Sequence, residues 1–511
     1  MKRTLTFCLI ALLCAMNGMA KQEPMSDYLN VKGTLKEAYQ QMPQGAPVII
    51  RMVMRVSETD QYETGIYYQI ESNGQNFLLP QSWLNIVAMD KPETVSDFWQ
   101  QTYLKHHIYE QRKEQEKNQD FRREVEEECQ DYLAHLNDIV YEDAYMASYV
   151  QGLVATLCAD QVLTGRNGNL NVCVIQSLEP TVFVLPSGTL IVSTGLLSSL
   201  DSEAELVALL ATEIGHHLFN HPMDNIHKAE RRAKRATFWA NVFNELSYSF
   251  EGEYYFRGNN DALNASLAAD IGEIISLLCL PAFDRLGMNY SDKQEKEADQ
   301  LAGEILAFHG YPTDALSSGL KKIRDYYLRN RQTEDILRYH SVDDLQKRIE
   351  ALPASEGSTS ADNANRPYLK NTYDAVNFNA ALNYAGGLFK ESIMLAEKNI
   401  KNRLADAQTY VLLVQSKMAL YNTPEANEEC LALLEEADKL TPNAPNLDVC
   451  KQRILLLMRM KKQSDALHSL QDYVDVLHAY QEQRPADREE RIWIDKEMNW
   501  ALMLMEKINK V

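Results

Sequence analysis

The chain has 511 residues, 45% of them apolar, and a formal net charge of −21. That length accommodates two or three domains with buried cores. The acidic balance offers no basic surface for phosphates and so excludes nucleic acid as a partner; it suits a soluble, self-repelling surface instead.

The chain opens on Met1-Lys2-Arg3, an apolar run from Leu5 to Met16, and the small residues of Gly18-Met19-Ala20. This pattern predicts a secretory signal peptide over residues 1–20, its apolar run being short for a membrane span. An uncleaved anchor is the alternative. Cys14 follows Ala11-Leu12-Leu13, which does not suit a lipid-anchored leader. No later stretch reaches spanning length, so the expected product is exported, soluble, and periplasmic or otherwise in the cell envelope. Cys129, Cys158, Cys173, Cys279, Cys430 and Cys450 follow the leader without framework or CxxC spacing and read as buried thiols. A Cys430–Cys450 pairing stays open.

Residues 21–92 read as a small β module. Val48–Val56, Gly65–Ile70 and Asn76–Leu79 are expected strands, with Asn73-Gly74 as the hairpin turn and Trp83–Val87 as a further strand. Residues 93–140 carry charges of both signs from Lys105 to Asp131 and read as a long solvated helix. A domain over residues 141–353 follows, with a helix at 142–159 and strands at 171–175 and within 181–193. Between His221 and Tyr290 lie a basic patch from Lys228 to Arg235, an aromatic stretch with Tyr254, Tyr255 and Phe256, and an apolar run from Ala265 to Leu280. Packing is the expectation for all three.

The chemistry concentrates in three motifs. The first lies on a helix beginning at Ser202, where Ser202 and Glu205 have capping-box spacing and Leu206, Leu210, Ile214 and Leu218 form an apolar stripe. Thr212, Glu213 and His216 have the spacing of H-E-x-x-H, in which two histidines one turn apart hold zinc and the Glu acts as base; here Thr212 stands at the first histidine. His217 and His221 form an i, i+4 pair of their own, read as incidental. The second motif runs from Tyr290 to Asp299 and includes Glu295, with Asp299 one turn on and on the same face. The third is Tyr339-His340-Ser341, with Arg348-Ile349 following.

Together these stretches resemble metallopeptidase family forty-eight, the HtpX-like and BepA-like zinc peptidases. Thr181-Val182-Phe183-Val184-Leu185-Pro186-Ser187-Gly188 is similar to the family's N-A-F-x-L-P-G-G, Thr194-Gly195-Leu196-Leu197 to its T-G-L-L, and Glu205–His216 to E-L-A-x-V-L-A-H-E-I-G-H. Tyr290–Asp299 is similar to Y-S-R-x-x-E-x-E-A-D, and Ala307–Pro312 to the Gly-Tyr-Pro stop of that helix. The resemblance implies zinc as cofactor, His216 and Glu295 as ligands, and Glu213 as general base. It implies Thr212 and Asp299 as residues behind the metal or substitutes for a missing ligand, and His340 and Arg348 as further catalytic candidates. For His340 an ordinary surface histidine is the alternative. The third motif departs from the family's T-H-P in having Ser341, and its Arg is more distant.

Residues 354–369 read as a linker rich in Ser, Ala, Asn and Gly, and residues 370–511 as helical throughout. Turns at Gly387–Ile393 and Lys461–Leu467, and Leu440-Thr441-Pro442-Asn443, resemble tetratricopeptide repeats; a plain helical bundle is the alternative. The expected fold class is α+β: a mainly helical zincin-type (gluzincin) peptidase domain, a small N-terminal β module and a C-terminal tetratricopeptide-like array. Two functions follow. One is an exported zinc metalloendopeptidase of envelope protein quality control with a degenerate metal site; the other is a catalytically inactive pseudoprotease acting as a chaperone or scaffold. Polypeptide substrates or client proteins, including envelope or outer-membrane proteins, are the expected partners.

Overall fold

The structure is a computed structural model. It describes residues 22–58, 62–115, 119–136, 139–158, 170–229, 288–330, 341–353, 365–441, 445–483 and 488–509. The leader, His340, the 354–364 segment, and most of the basic, aromatic and apolar stretches between His221 and Tyr290 lie outside the described residues. Contacts divide the chain into two units, residues 1–130 with 153–170, and residues 131–152 with 171–511.

The first unit carries an antiparallel sheet. Its strands are β1 (Gln22–Pro24), β2 (Val31–Leu35), β3 (Pro47–Val56), β4 (Gly65–Ser72), β5 (Gln75–Pro80) and β6 (Val87–Met89). They pair in the order β5-β4-β3-β2-β6, with β1 on β3. Val31, Leu35, Val48, Ile50, Tyr68, Ile70 and Leu79 form its core. Asn73 and Gly74 turn the β4–β5 hairpin with φ of 50° and 76°, the left-handed pair that a two-residue hairpin requires.

Two expectations for this unit are corrected. Trp83 lies in a 3-10 turn, Gln81–Ile86, and only Val87–Met89 is a strand. Pro80 ends β5 with its fixed φ of −58° and directs the chain into that turn. Residues 93–140 are not one continuous helix: the described residues hold α1 (Val95–Lys105), α2 (Ile108–Gln115) and α3 (Gln119–Leu136), with a break between α1 and α2. The first is not solvated. Phe98, Trp99, Tyr103 and Leu104 are buried, and the Trp99 indole donates to the Leu157 carbonyl at 2.9 Å. An aromatic stripe at helical spacing precedes the charged run that begins at Lys105. His107, at φ 56°, breaks the run.

The second unit takes in the end of α3 from Asp131, α4 (Ala144–Leu157) as far as Gly152, and a three-stranded sheet. In that sheet β9 (Thr189–Ser193) lies between β7 (Asn171–Ile175), parallel to it, and β8 (Val182–Val184), antiparallel. The short α5 (Thr194–Ser199) leads to α6 (Glu203–Leu218). The α6 capping box forms as expected: the Ser202 hydroxyl accepts from the Glu205 amide, and the Glu205 carboxylate accepts from the Ser202 amide. Removing such a cap costs about 1 kcal/mol. The burial of α6 exceeds the expected stripe, with every residue from Glu205 to His216 inside.

The helix ends early, because Asn220 adopts φ 60° and α7 (His221–Ala229) starts afresh. His217 and His221 therefore do not share a helical face. The remaining helices are α8 (Asp292–His309), α9 (Ala315–Arg329), α10 (Val342–Ala351), α11 (Arg366–Ala385), α12 (Phe389–Lys401), α13 (Ala407–Leu420), α14 (Pro424–Leu440), α15 (Leu447–Arg459), α16 (Gln463–Gln483) and α17 (Arg488–Asn509).

From α11 onward most helices pack on their neighbours in sequence, giving a C-terminal helical array. Gly387 and Lys461, at φ 75° and 60°, make two of its turns. Its inner layers are apolar, with Val414, Leu434 and Leu456 in one cluster and Leu470, Tyr473 and Leu477 in another. The array is joined firmly to α5: the Tyr368 hydroxyl donates to the Leu197 carbonyl at 2.8 Å, and Asn379 bonds both Thr194 and Ser198. Helix α11 crosses the boundary expected at residue 369. Cys430 and Cys450 are both free thiols. No helix among the described residues is long and apolar enough to cross a membrane.

Candidate active site

The site forms where α6 and α8 cross. Gly215 sets their separation: a Cβ there would lie 3.1 Å from the Cα of Ala298 and 3.2 Å from its carbonyl oxygen. Only glycine lets the two backbones approach this closely without a shift. Helix α8 is held in place at both ends, by a Ser291–Gln294 capping box and by Gly310 in the left-handed conformation at φ 76°. The α6–α8 contact brings Thr212, Glu213 and His216 against Glu295 and Asp299.

His216 is buried, its side chain 1% exposed, with its Nε2 3.3 Å from Oε2 of Glu295. Its Nδ1 lies 3.0 Å from Nδ1 of His221, and Nε2 of His221 lies 3.4 Å from Glu297. Tyr290 stacks on the His216 ring with centroids 3.7 Å apart. His221 thus supports His216. One ring must donate and the other accept across the Nδ1···Nδ1 contact.

Thr212 stands where the first ligand histidine is expected. Its hydroxyl lies 3.3 Å from the Ala208 carbonyl and 3.3 Å from Oδ1 of Asp299; it has one proton to donate between them. The closed space beside it, lined by Thr181, Leu209 and Tyr327 among others, measures about 10 Å³, room for about one water. Glu213 accepts from the Val184 amide of β8 at 3.1 Å. Burial, reinforced by the nearby charge of Glu295, pushes its carboxyl well above the ordinary range.

The third motif supplies Arg348, on α10. Its side chain is 11% exposed and makes a two-pronged pair with Asp299, Nη2 to Oδ1 at 2.7 Å and Nε to Oδ2 at 3.0 Å. Nη1 lies 3.0 Å from Oε2 of Glu295, the oxygen that also faces His216. Burial works against the guanidinium charge, but Asp299 and Glu295 outweigh it and hold the group firmly charged. Planar guanidinium and carboxylate match in this geometry, which makes such pairs strong and specific. An open groove of about 720 Å³ runs outward from this cluster between α8 and α10, passing Gly303, Ala307 and Leu352.

These residues do not fit a zinc ion as they stand. Catalytic zinc takes three protein ligands and an open position. Here His216 and Glu295 offer two, Thr212 adds a neutral hydroxyl turned toward Asp299, and the facing oxygen of Glu295 is already held by Arg348. Among the described residues, no three His, Cys, Asp or Glu side chains converge as metal ligands. All the candidate residues of the first two motifs come together with Arg348, whereas His340 lies outside the described residues. Sequence reasoning missed the supports of His216. Tyr290 and His221 both belong to recognisable stretches, but His221 reaches His216 through the turn at Asn220 and Tyr290 through the packing of α8 on α6.

A buried helix bearing Glu213 and His216 is thus crossed by a second helix bearing Glu295 and Asp299 beside a strand. Residues 147–354 match the Peptidase family M48 model, and the chain carries a Peptidase family M48 domain over that stretch. No curated protein matches the chain. The family implies zinc and polypeptide substrates.

Proposed function

We propose that this protein is a pseudoprotease: a family M48 scaffold that binds polypeptides as an exported chaperone or scaffold and does not cleave them. One observation carries the reading. The place of the metal's charge is taken by Arg348, which pairs with Glu295 at 3.0 Å and with Asp299 at 2.7 Å, while Thr212 replaces a ligand histidine. One fixed positive charge then faces two buried carboxylates that zinc would otherwise help to neutralise. The groove between α8 and α10 and the C-terminal helical array, read as tetratricopeptide-like, remain as surfaces for an unfolded client. The leader pattern of residues 1–20 supports export to the cell envelope.

A second reading, a zinc metalloendopeptidase of envelope quality control, keeps one observation in its favour. His216 Nε2 and Glu295 Oε2 are 3.3 Å apart, about the separation of two ligands bound at 2.0–2.1 Å to one tetrahedral zinc. A cleavage assay decides between them. Incubated with unfolded casein and added zinc, the wild type is expected to leave the substrate intact, as Glu213→Gln does, yet to slow its heat-induced aggregation. Cleavage by the wild type that Glu213→Gln abolishes would establish the metalloendopeptidase instead.

A further inference from the structure

The second large cavity of this unit lies away from the Thr212–Arg348 cluster. It measures about 1020 Å³ and opens between α9 on one side and α11 and α12 on the other, with the end of α5 at its floor. In a chain of net charge −21, its lining is basic: Lys322, Arg329, Arg366, Lys398, Lys401 and Arg403 face Asp201, Asp325, Glu391 and Glu397.

Every one of those acids is already engaged. Asp201 is shared by Lys322 and Lys398, Glu391 is held by Arg329, Asp325 by Arg324, and Glu397 by Lys417. Lys398 also donates to the carbonyls of Ser198 and Leu200 at 2.7 and 2.6 Å, so it serves the walls rather than the space. Arg366, Lys401 and Arg403 remain, gathered at one end where the Arg366 guanidinium donates to the carbonyls of Asn402 and Arg403. Among the described residues no carboxylate pairs with these three.

At the other end stands Asn383, 3% exposed, whose amide nitrogen donates to the Asn379 carbonyl at 2.8 Å. Both Arg366 and Asn383 line the cavity. They are separated by most of α11, roughly 25 Å at 1.5 Å per residue. An extended chain covers that distance in about seven residues.

We propose that this cleft binds an extended segment of another polypeptide, with a carboxylate against Arg366, Lys401 and Arg403. The carboxylate belongs either to the chain terminus or to an Asp or Glu side chain near it. The inference does not depend on whether the M48 centre holds zinc.

The test uses the full-length chain and fluorescein-labelled seven-residue peptides in three forms: three C-terminal aspartates with a free carboxylate, the same peptide amidated, and the same peptide with the aspartates changed to asparagine. The expected result is saturable binding of the first by anisotropy, weakened by added salt. Lys401→Glu/Arg403→Glu should weaken it about ten-fold or more, the loss of charge-assisted contacts. Lys401 is exposed, so Lys401→Glu alone, with an unchanged melting curve, serves if the double variant folds poorly. Loss on amidation assigns the carboxylate to the terminus; loss only with asparagine assigns it to side chains. Equal binding of all three peptides, no binding of any, or an affinity indifferent to charge reversal overturns the proposal.

Discussion

Arg348→Ala is expected to destabilise the second unit by about 3–5 kcal/mol, the usual consequence of breaking a buried ion pair from one side. The carboxylates of Glu295 and Asp299, with side chains 10% and 8% exposed, would be left without their common partner. The adjacent Lys347 provides the control. Its side chain is 64% exposed and pairs with Asp344 within α10, so Lys347→Ala should leave the melting temperature essentially unchanged. Thermal melts followed by circular dichroism compare the two. If Arg348→Ala melts within a degree or two of the wild type, the guanidinium is not the charge that holds this centre together.

The second large effect concerns metal affinity. Thr212→His adds an imidazole one turn before His216 on the same face of α6 and completes the set of two His and one Glu. The structure adds a condition that local spacing does not reveal: Oε2 of Glu295 is already 3.0 Å from Arg348. Thr212→His alone is therefore expected to gain zinc weakly. Thr212→His/Arg348→Ala is expected to bind it about 100-fold more tightly than either single variant, since the competing cation is gone. Zinc should then restore part of the stability lost with Arg348, because a ligand bound only to the folded state stabilises it. Zinc titration by competition with a chromophoric chelator measures the affinities. Equal affinities for Thr212→His and for Thr212→His/Arg348→Ala would mean that Arg348 and zinc do not compete.

Much of this site can be read along the chain because its parts are local. The Ser202–Glu205 capping box, the Glu213–His216 spacing and the Glu295–Asp299 face all follow from helical periodicity, and each lies within one or two turns. Asn73-Gly74 likewise announces its hairpin. The features that do not show locally depend on contacts across long sequence separations. Arg348 could be named from the third motif, but its double pairing with Glu295 and Asp299 depends on α10 packing against α8. His221 reads as a helical neighbour of His217 until Asn220, in the left-handed conformation, stops the helix and turns His221 to His216. Helix α1 precedes the charged run that begins at Lys105, and the burial of Phe98, Trp99 and Tyr103 reflects their helical spacing. Trp83 has strand-forming neighbours, but Pro80 redirects the backbone before they can pair. The polar cleft beside α11 joins residues from four helices, and no single stretch foreshadows it.

If a guanidinium, and not a metal, faces the carboxylates where α6 and α8 cross, the purified protein carries little zinc. The most direct measurement is the zinc content of purified wild-type protein, loaded with excess zinc, freed of unbound metal by desalting, and analysed by inductively coupled plasma mass spectrometry. Well under one zinc per chain is the predicted result, with no change in content for His216→Ala. One zinc retained per chain, lost in His216→Ala and in Glu295→Gln, would contradict it.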